Sequence, residues 1–285
     1  MSAFFGQFSG TGRRQIGWRR LLLIGLLLLA GGGSVAQAMP IILYNSTTGQ
    51  KPQDQGWFYL ATGATTFDPP QSVIENNLGN TMLFDTADPI TDRAGYSRIP
   101  GVTPVPPGVV LDRTLGYSLS INVQITNENH NTNDRAGWSL IVLGHDNRGI
   151  EIGFWEDRVF AQSTTFTHAE EALYDTTAAI TNYTLSVFGD SYAFFAPGMA
   201  NPMVGPLRQY PSNGFPSDPY GLSNFIFVGD NTSSAEVQAL FTQVGYSPVV
   251  PEPSWWWGAA SLAAAVLCGR HATQTQRAAR IHSAA

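Results

Sequence analysis

Between residues 115 and 126 apolar and polar side chains alternate without interruption. Leu115, Tyr117, Leu119, Ile121, Val123 and Ile125 are interleaved with Gly116, Ser118, Ser120, Asn122, Gln124 and Thr126. A period of two over twelve positions predicts a strand with one buried and one polar face. After a polar stretch, Asn127 to Arg135, the run Trp138 to Leu143 is apolar at nearly every position, the pattern of a central strand covered on both sides. A turn over 144–149 leads to Gly149–Glu156, which sets Ile150, Ile152 and Phe154 against Glu151, Gly153 and Trp155. A tight connection at Asp157 then opens a strand over Arg158–Gln162. The segments Tyr183–Phe188 and Ser191–Phe195, joined by Gly189-Asp190, carry the strongest hairpin signal. Asn224–Val228 and Val237–Tyr246 flank the polar turn 229–234 and are expected to form a further pair. Ala169–Tyr174 is the one place where a helical turn is expected. Residues 39–114 look looser, with Pro69-Pro70 and the prolines between 100 and 107 marking surface connections. No long stretch repeats at the helical period. The chain therefore predicts an all-β domain of two packed antiparallel sheets.

The two ends follow other rules. Arg13, Arg14, Arg19 and Arg20 precede Leu21–Ala30, and small residues lead to Val35-Ala36-Gln37-Ala38. That is the charged, apolar and small-residue order of a secretory signal, with Ala36 and Ala38 framing a cleavage site, so 1–38 is read as a signal peptide. The pair Arg13-Arg14 lacks the bulky apolar context of a twin-arginine signal, which favours the general secretion machinery. At the far end Val250, Pro251, Glu252 and Pro253 run into the apolar stretch Trp255–Cys268 and a tail with Arg270, Arg277 and Arg280. Fourteen helical residues reach roughly 21 Å, short of a hydrocarbon core of about 30 Å. The tryptophans suit a membrane interface, and the arginines resist crossing.

This order of Pro-Glu-Pro box, short hydrophobic helix and basic tail resembles the PEP-CTERM sorting signal. The resemblance covers roughly residues 250–280 of the C-terminal segment 250–285, with basic residues more scattered than the family's usual cluster. It implies processing by an exosortase-type membrane enzyme, transient anchoring in the membrane, and a final place at the cell surface or outside the cell in an exopolysaccharide, biofilm context. A plain short tail anchor is the competing reading.

Removing both labels leaves residues 39–249 as one exported domain, large enough to bury a core. Lys51 and seven arginines face twenty acidic residues there, a net charge near −12 against −6 for the whole chain. Such a field disfavours nucleic acid as a partner. The only cysteine, Cys268, lies in the C-terminal apolar stretch, so the domain has no disulfide and no thiol chemistry.

The stretch Asn133-Asp134-Arg135-Ala136-Gly137-Trp138-Ser139, the run Gly149 to Trp155, Ala161-Gln162, the Tyr183–Val187 strand and the closing Phe227-Val228-Gly229-Asp230-Asn231 segment resemble the choice-of-anchor domains of bacterial surface proteins. The resemblance spans about two thirds of the exported domain. It implies a two-sheet antiparallel jelly-roll sandwich of the concanavalin or laminin-G kind and no particular activity.

Three chemistries are candidates. Glu151-Ile152-Gly153-Phe154-Trp155-Glu156 keeps the outer glutamates of the strand motif of concanavalin-like β-glucanases and lacks its central aspartate. On a regular strand these glutamates point to opposite faces, whereas retaining hydrolysis needs its carboxyl groups about 5 Å apart on one side of the sugar. Glu151 paired with Arg135 or Arg158 is the structural alternative. The second candidate is a glycan-binding face on the side of Glu151 and Trp155, extended by Phe160 and Gln162 if the neighbouring strand has the matching register. Flat rings suit sugar faces, and carboxylates or amides fix hydroxyls. Core packing is the alternative for the aromatics. The third is calcium, for which Asn127–Asp134 and Asp230-Asn231 supply oxygen ligands, although their spacing matches no defined loop and asparagine also suits turns. His130, His145 and His168 read as separate, solvated loop histidines, and no metal-ligand pattern or catalytic site is assigned. The expectation is a non-catalytic exported surface or matrix protein. A lectin-like module on Glu151 and Trp155 is the alternative, and a glycoside hydrolase using Glu151 and Glu156 the second.

Overall fold

The computed structural model describes residues 39–63, 70, 73–212 and 218–248. The expected signal peptide, with Ala36 and Ala38, and the sorting motif and tail, with Val250, Pro251, Glu252, Pro253, Arg270, Arg277 and Arg280, lie outside the described residues. So does Pro69. Among the described residues no helix is long and apolar enough to cross a membrane.

Among the described residues fifteen strands account for nearly all the regular structure, with three single turns of 3-10 helix beside them. In chain order they are β1 (Ile41–Asn45), β2 (Phe58–Thr62), β3 (Ile74–Asn77), β4 (Met82–Asp85) and β5 (Arg93–Arg98). There follow β6 (Tyr117–His130), β7 (Trp138–Leu143), β8 (Gly149–Phe154), β9 (Arg158–Gln162) and β10 (His168–Leu173). The last are β11 (Thr181–Phe188), β12 (Ser191–Phe195), β13 (Met203–Pro206), β14 (Phe225–Asp230) and β15 (Ala235–Ser247). They form two antiparallel sheets. The first runs β13-β12-β11-β6-β15-β4-β3, with β1 added on β15, and the second runs β10-β9-β8-β7-β14-β5-β2.

The period-two patterns decide which side chains enter the core. Tyr117, Leu119, Ile121, Val123 and Ile125 of β6 are buried against Trp138, Leu140 and Val142 of β7 and Ile150, Ile152 and Phe154 of β8. Aromatic pairs cross between the sheets: Trp138 meets Phe84 edge-on at 5.4 Å, and Phe154 meets Phe194 edge-on at 5.8 Å. Such pairs contribute about 0.5–1.5 kcal/mol each beyond the area they bury. β7 lies at the centre of its sheet, and all six of its residues are buried, as its sequence predicts. The Gly189-Asp190 hairpin forms with Phe188 opposite Ser191.

Elsewhere the structure departs from the sequence reading. Ala169–Tyr174 is not helical. Its alanines, glutamates and leucine favour helix locally, but pairing with β9 holds His168–Leu173 as an edge strand, with Ala172 against the core. β6 begins at Tyr117, leaving Leu115 72% exposed, and continues to His130, so half of the expected Asn127–Arg135 loop is strand. β14 and β15 do not pair with each other. They belong to different sheets, and the turn between them carries the chain across the sandwich. Residues 39–114 supply five strands.

Candidate functional site

The outward face of the second sheet is set by the same alternation. With Ile150, Ile152 and Phe154 facing the core, Glu151 and Gly153 must face away from it. Gly153 stands opposite Phe160 on β9, which puts Phe160 and Gln162 on that face too. The register the glycan-face reading required is therefore present. The face is covered, however: Glu151, Phe160 and Gln162 are each 0% exposed and Trp155 is 8% exposed. As an open platform these four residues are not available to a ligand.

What covers them explains the local sequence. Trp155 packs with Phe160 and Ala136, its ring 5.2 Å from that of Phe160, and its indole N–H donates to the Arg135 carbonyl at 2.8 Å. Gln162 donates to the Asp134 carbonyl at 2.5 Å. Gly153 leaves the room in which the Phe160 ring lies, since a Cβ there would fall 2.7 Å from it. Over Ile141, Leu143 and Phe225 sit Tyr210 and Tyr220 from the connection between β13 and β14.

Glu151 is the hub of this cover. Its Oε1 accepts from Arg135 Nη2 at 3.3 Å, Ser139 Oγ at 3.2 Å and Asn231 Nδ2 at 3.1 Å. Its Oε2 accepts from the Tyr220 hydroxyl at 2.5 Å. Burial beside this carboxylate raises the Tyr220 phenol well above its ordinary range, so Tyr220 remains a donor. Glu156 takes no part. It is exposed in the turn after β8, and its carboxylate accepts from the backbone N–H of Glu128 in the other sheet. The two glutamates of the hydrolase reading thus serve different surfaces, and Arg158 pairs with Asp157 and Glu171 rather than with Glu151.

Beyond β7 the cover ends. Across β14, β5 and β2 the outward residues border a recess of about 530 Å³. Its floor is apolar: Phe227 is half-buried, Phe58 likewise, and Leu60 is 46% exposed. Gly95 permits this shape, because a Cβ at that position would stand 2.3 Å from the Phe227 ring, which therefore lies down against the sheet. Arg93, Arg135, Asn231, Ser233 and Ser234 bring polar atoms to the same recess. Asp230 also borders it, with its carboxyl raised well above the usual range by burial and held by Thr86 Oγ1 at 2.7 Å.

Two of the three histidines, His130 and His168, meet at one aromatic cluster, while His145 stays apart beside Asp112. His130 stacks flat on Trp155, with ring centroids 4.0 Å apart, and His168 stacks on Phe160 at 3.7 Å. Burial lowers both from the ordinary imidazole value. His130 Nδ1 lies 2.8 Å from Glu128, whose carboxyl burial pushes up to about 8. Burial therefore favours the uncharged form of both groups in this contact. Of the oxygens proposed for calcium, those of Asn127–His130 lie on a strand and Asp230 accepts from Thr86. Among the described residues no group of three or more His, Cys, Asp or Glu side chains is placed to hold a metal ion.

Sequence reasoning missed Arg93, Tyr220 and Phe227. Only Phe227 had a signal, because the inward placement of Ile226 and Val228 turns it outward.

No protein-family model matches the chain, and no curated protein matches it. Among solved structures it is similar to a carbohydrate esterase of the Shiga toxin-encoding bacteriophage phi24B, with 11% identity, 73% of this chain and 99% of that chain covered, and a TM-score of 0.48. It is also similar to domain 4 of AbnA, a GH43 extracellular arabinanase of Geobacillus stearothermophilus solved with arabinotriose, with 13% identity, 74% and 93% covered, and a TM-score of 0.40. A third similarity is to the binding domain of botulinum neurotoxin DC, with 9% identity, 75% and 48% covered, and a TM-score of 0.41. These likenesses concern the course of the chain and carry no inference about activity.

Proposed function

We propose that this is a non-catalytic exported protein of a bacterial surface or exopolysaccharide matrix, whose sandwich is a concanavalin or laminin-G-like jelly roll and serves as a saccharide-binding, adhesive module. The observation that carries the reading is the recess over β14, β5 and β2, where half-exposed rings adjoin hydroxyl and amide groups. Sugar rings bury apolar faces against such rings while their hydroxyls need many polar partners. Glu151 then has a supporting role. With both oxygens engaged and no exposure, it is positioned to hold Arg135 and Asn231 at the recess rather than to exchange protons with a substrate. Export by the secretion machinery, PEP-CTERM processing by an exosortase-type enzyme and transient membrane anchoring complete the proposal, and no cofactor is assigned.

The test is a glycan array and polysaccharide pull-down with the full chain in detergent, comparing wild type with Leu60→Asp, a change at a 46% exposed side chain. Retention by wild type and loss in the variant is expected, and failure of wild type to retain any saccharide would sink the binding reading. Cell fractionation with and without residues 250–285 tests sorting. Unchanged distribution of the two forms would count against it.

A further inference from the structure

The recess has an electrostatic character that the domain as a whole does not share. Arg93 follows the outward phase of β5, and among the described residues the one hydrogen bond its side chain makes is a long 3.5 Å contact from Nη2 to the Gly63 carbonyl. Its Nε is buried and has no partner. Arg135, which also lines the recess, gives Nη2 to Glu151 and Asn231 and likewise leaves Nε unpaired. Its side chain is only 15% exposed. Buried donors without acceptors are uncommon, and a guanidinium offers a fork of donors that matches a carboxylate in two places at once. Among the described residues the other ionisable groups at the recess do not supply such a carboxylate. Glu151 is already taken by four donors, and the two Asp230 oxygens already accept from Thr86 Oγ1 at 2.7 Å and the Thr232 N–H at 3.0 Å. Two incompletely paired guanidiniums thus sit beside two carboxylates whose oxygens are already engaged, on a domain whose net charge is near −12.

We propose that the recess takes an acidic saccharide, one whose rings carry carboxylates, with Arg93 and Arg135 meeting a carboxylate and a sugar face lying on Phe58, Leu60 and Phe227. This rests on reading the recess as a saccharide site. The hydroxyl and amide groups of Ser97, Asn231, Ser233 and Ser234 suit a ring with hydroxyls on several sides better than a peptide with one acid per residue. Long polyuronates meet the negative field of the rest of the domain, which extends about 8 Å at physiological ionic strength. Short oligomers therefore give the cleaner test.

The experiment is titration calorimetry with the full chain in detergent, using uronic acid trisaccharides, the same trisaccharides with carboxyl groups reduced to alcohols, and triglutamate. The expected result is binding of an acidic trisaccharide, at least about tenfold weaker binding of its reduced form, and a similar loss in Arg93→Gln. Arg93→Lys retains part of the affinity, and Leu60→Ser lowers it with no change in thermal midpoint. Equal binding of the acidic and reduced sugars, unaffected by Arg93→Gln, would overturn the assignment of charge and leave the saccharide reading in place. Triglutamate binding as tightly as the sugars would overturn the saccharide class. Binding of neither sugar form would refute both readings together.

Discussion

Replacing Glu151 by alanine tests the polar hub that separates the covered half of the second sheet from the open half. The side chain is 0% exposed and accepts from a guanidinium, an amide and two hydroxyls. Alanine removes the anion and leaves the guanidinium of Arg135, whose side chain is 15% exposed, beside a void. Removing one partner of a buried ion pair costs about 3–5 kcal/mol, because the remaining charge is uncompensated. In a domain of about 200 residues each kcal/mol lowers the midpoint by about 2–4 °C, so the expected fall is roughly 6–20 °C. Glu151→Gln keeps the shape and one acceptor and should cost about 2–3 kcal/mol. Arg135→Met combined with Glu151→Leu removes both charges and should recover at least half of the loss seen with Glu151→Ala, since a buried pair is often replaceable by apolar residues at little net cost. Urea and thermal denaturation followed by circular dichroism would measure all four proteins. A loss below about 1 kcal/mol for Glu151→Ala, or a double variant less stable than either single one, would refute the account of Glu151 as a charge held by its neighbours.

Other outcomes follow from the same geometry. Glu128, raised to about 8 in the folded protein, contributes stability that is complete below its ordinary value near 4.5 and is lost as pH rises toward 8. Glu128→Gln should flatten that decline in denaturation profiles between pH 5 and 8, while the buried, neutral-favouring His130 should still weaken the fold as pH falls below about 6.5. An unchanged slope in the variant would show that Glu128 ionises freely. Gly95→Val should cost about 1–3 kcal/mol and displace the Phe227 ring, read as a lower denaturation midpoint together with lost saccharide binding. Trp155→Ala should cost about 3–5 kcal/mol, with its partners His130 and Phe160 left around a cavity. A Trp155→Ala protein of native stability that fails only in binding would instead identify Trp155 as a ligand platform.

The sequence by itself determined the class of fold and the inward face of each principal strand. Alternation at a period of two is a local property, and burying one face of β6, β8 and β15 leaves only one acceptable phase. It also placed Glu151 and Trp155 on a common face, whereas Phe160 and Gln162 joined them only through the register of β9, which the structure supplied. Whether that face meets water was beyond its reach. Tyr210 and Tyr220 cover one half of it from a segment some fifty or more residues downstream, and nothing in the pattern of β8 or β9 announces them. The same holds for Ala169–Tyr174, where pairing with β9 overrode a local preference for helix, and for β14 and β15, whose short connection looks like a hairpin yet crosses between sheets. The open recess depends on Gly95 and Phe227, more than 130 residues apart in the chain and in contact only because β5 pairs with β14. Side-chain phase follows from covalent geometry. Cover and cavity follow from which distant segments pack together, and that was decided by the tertiary structure.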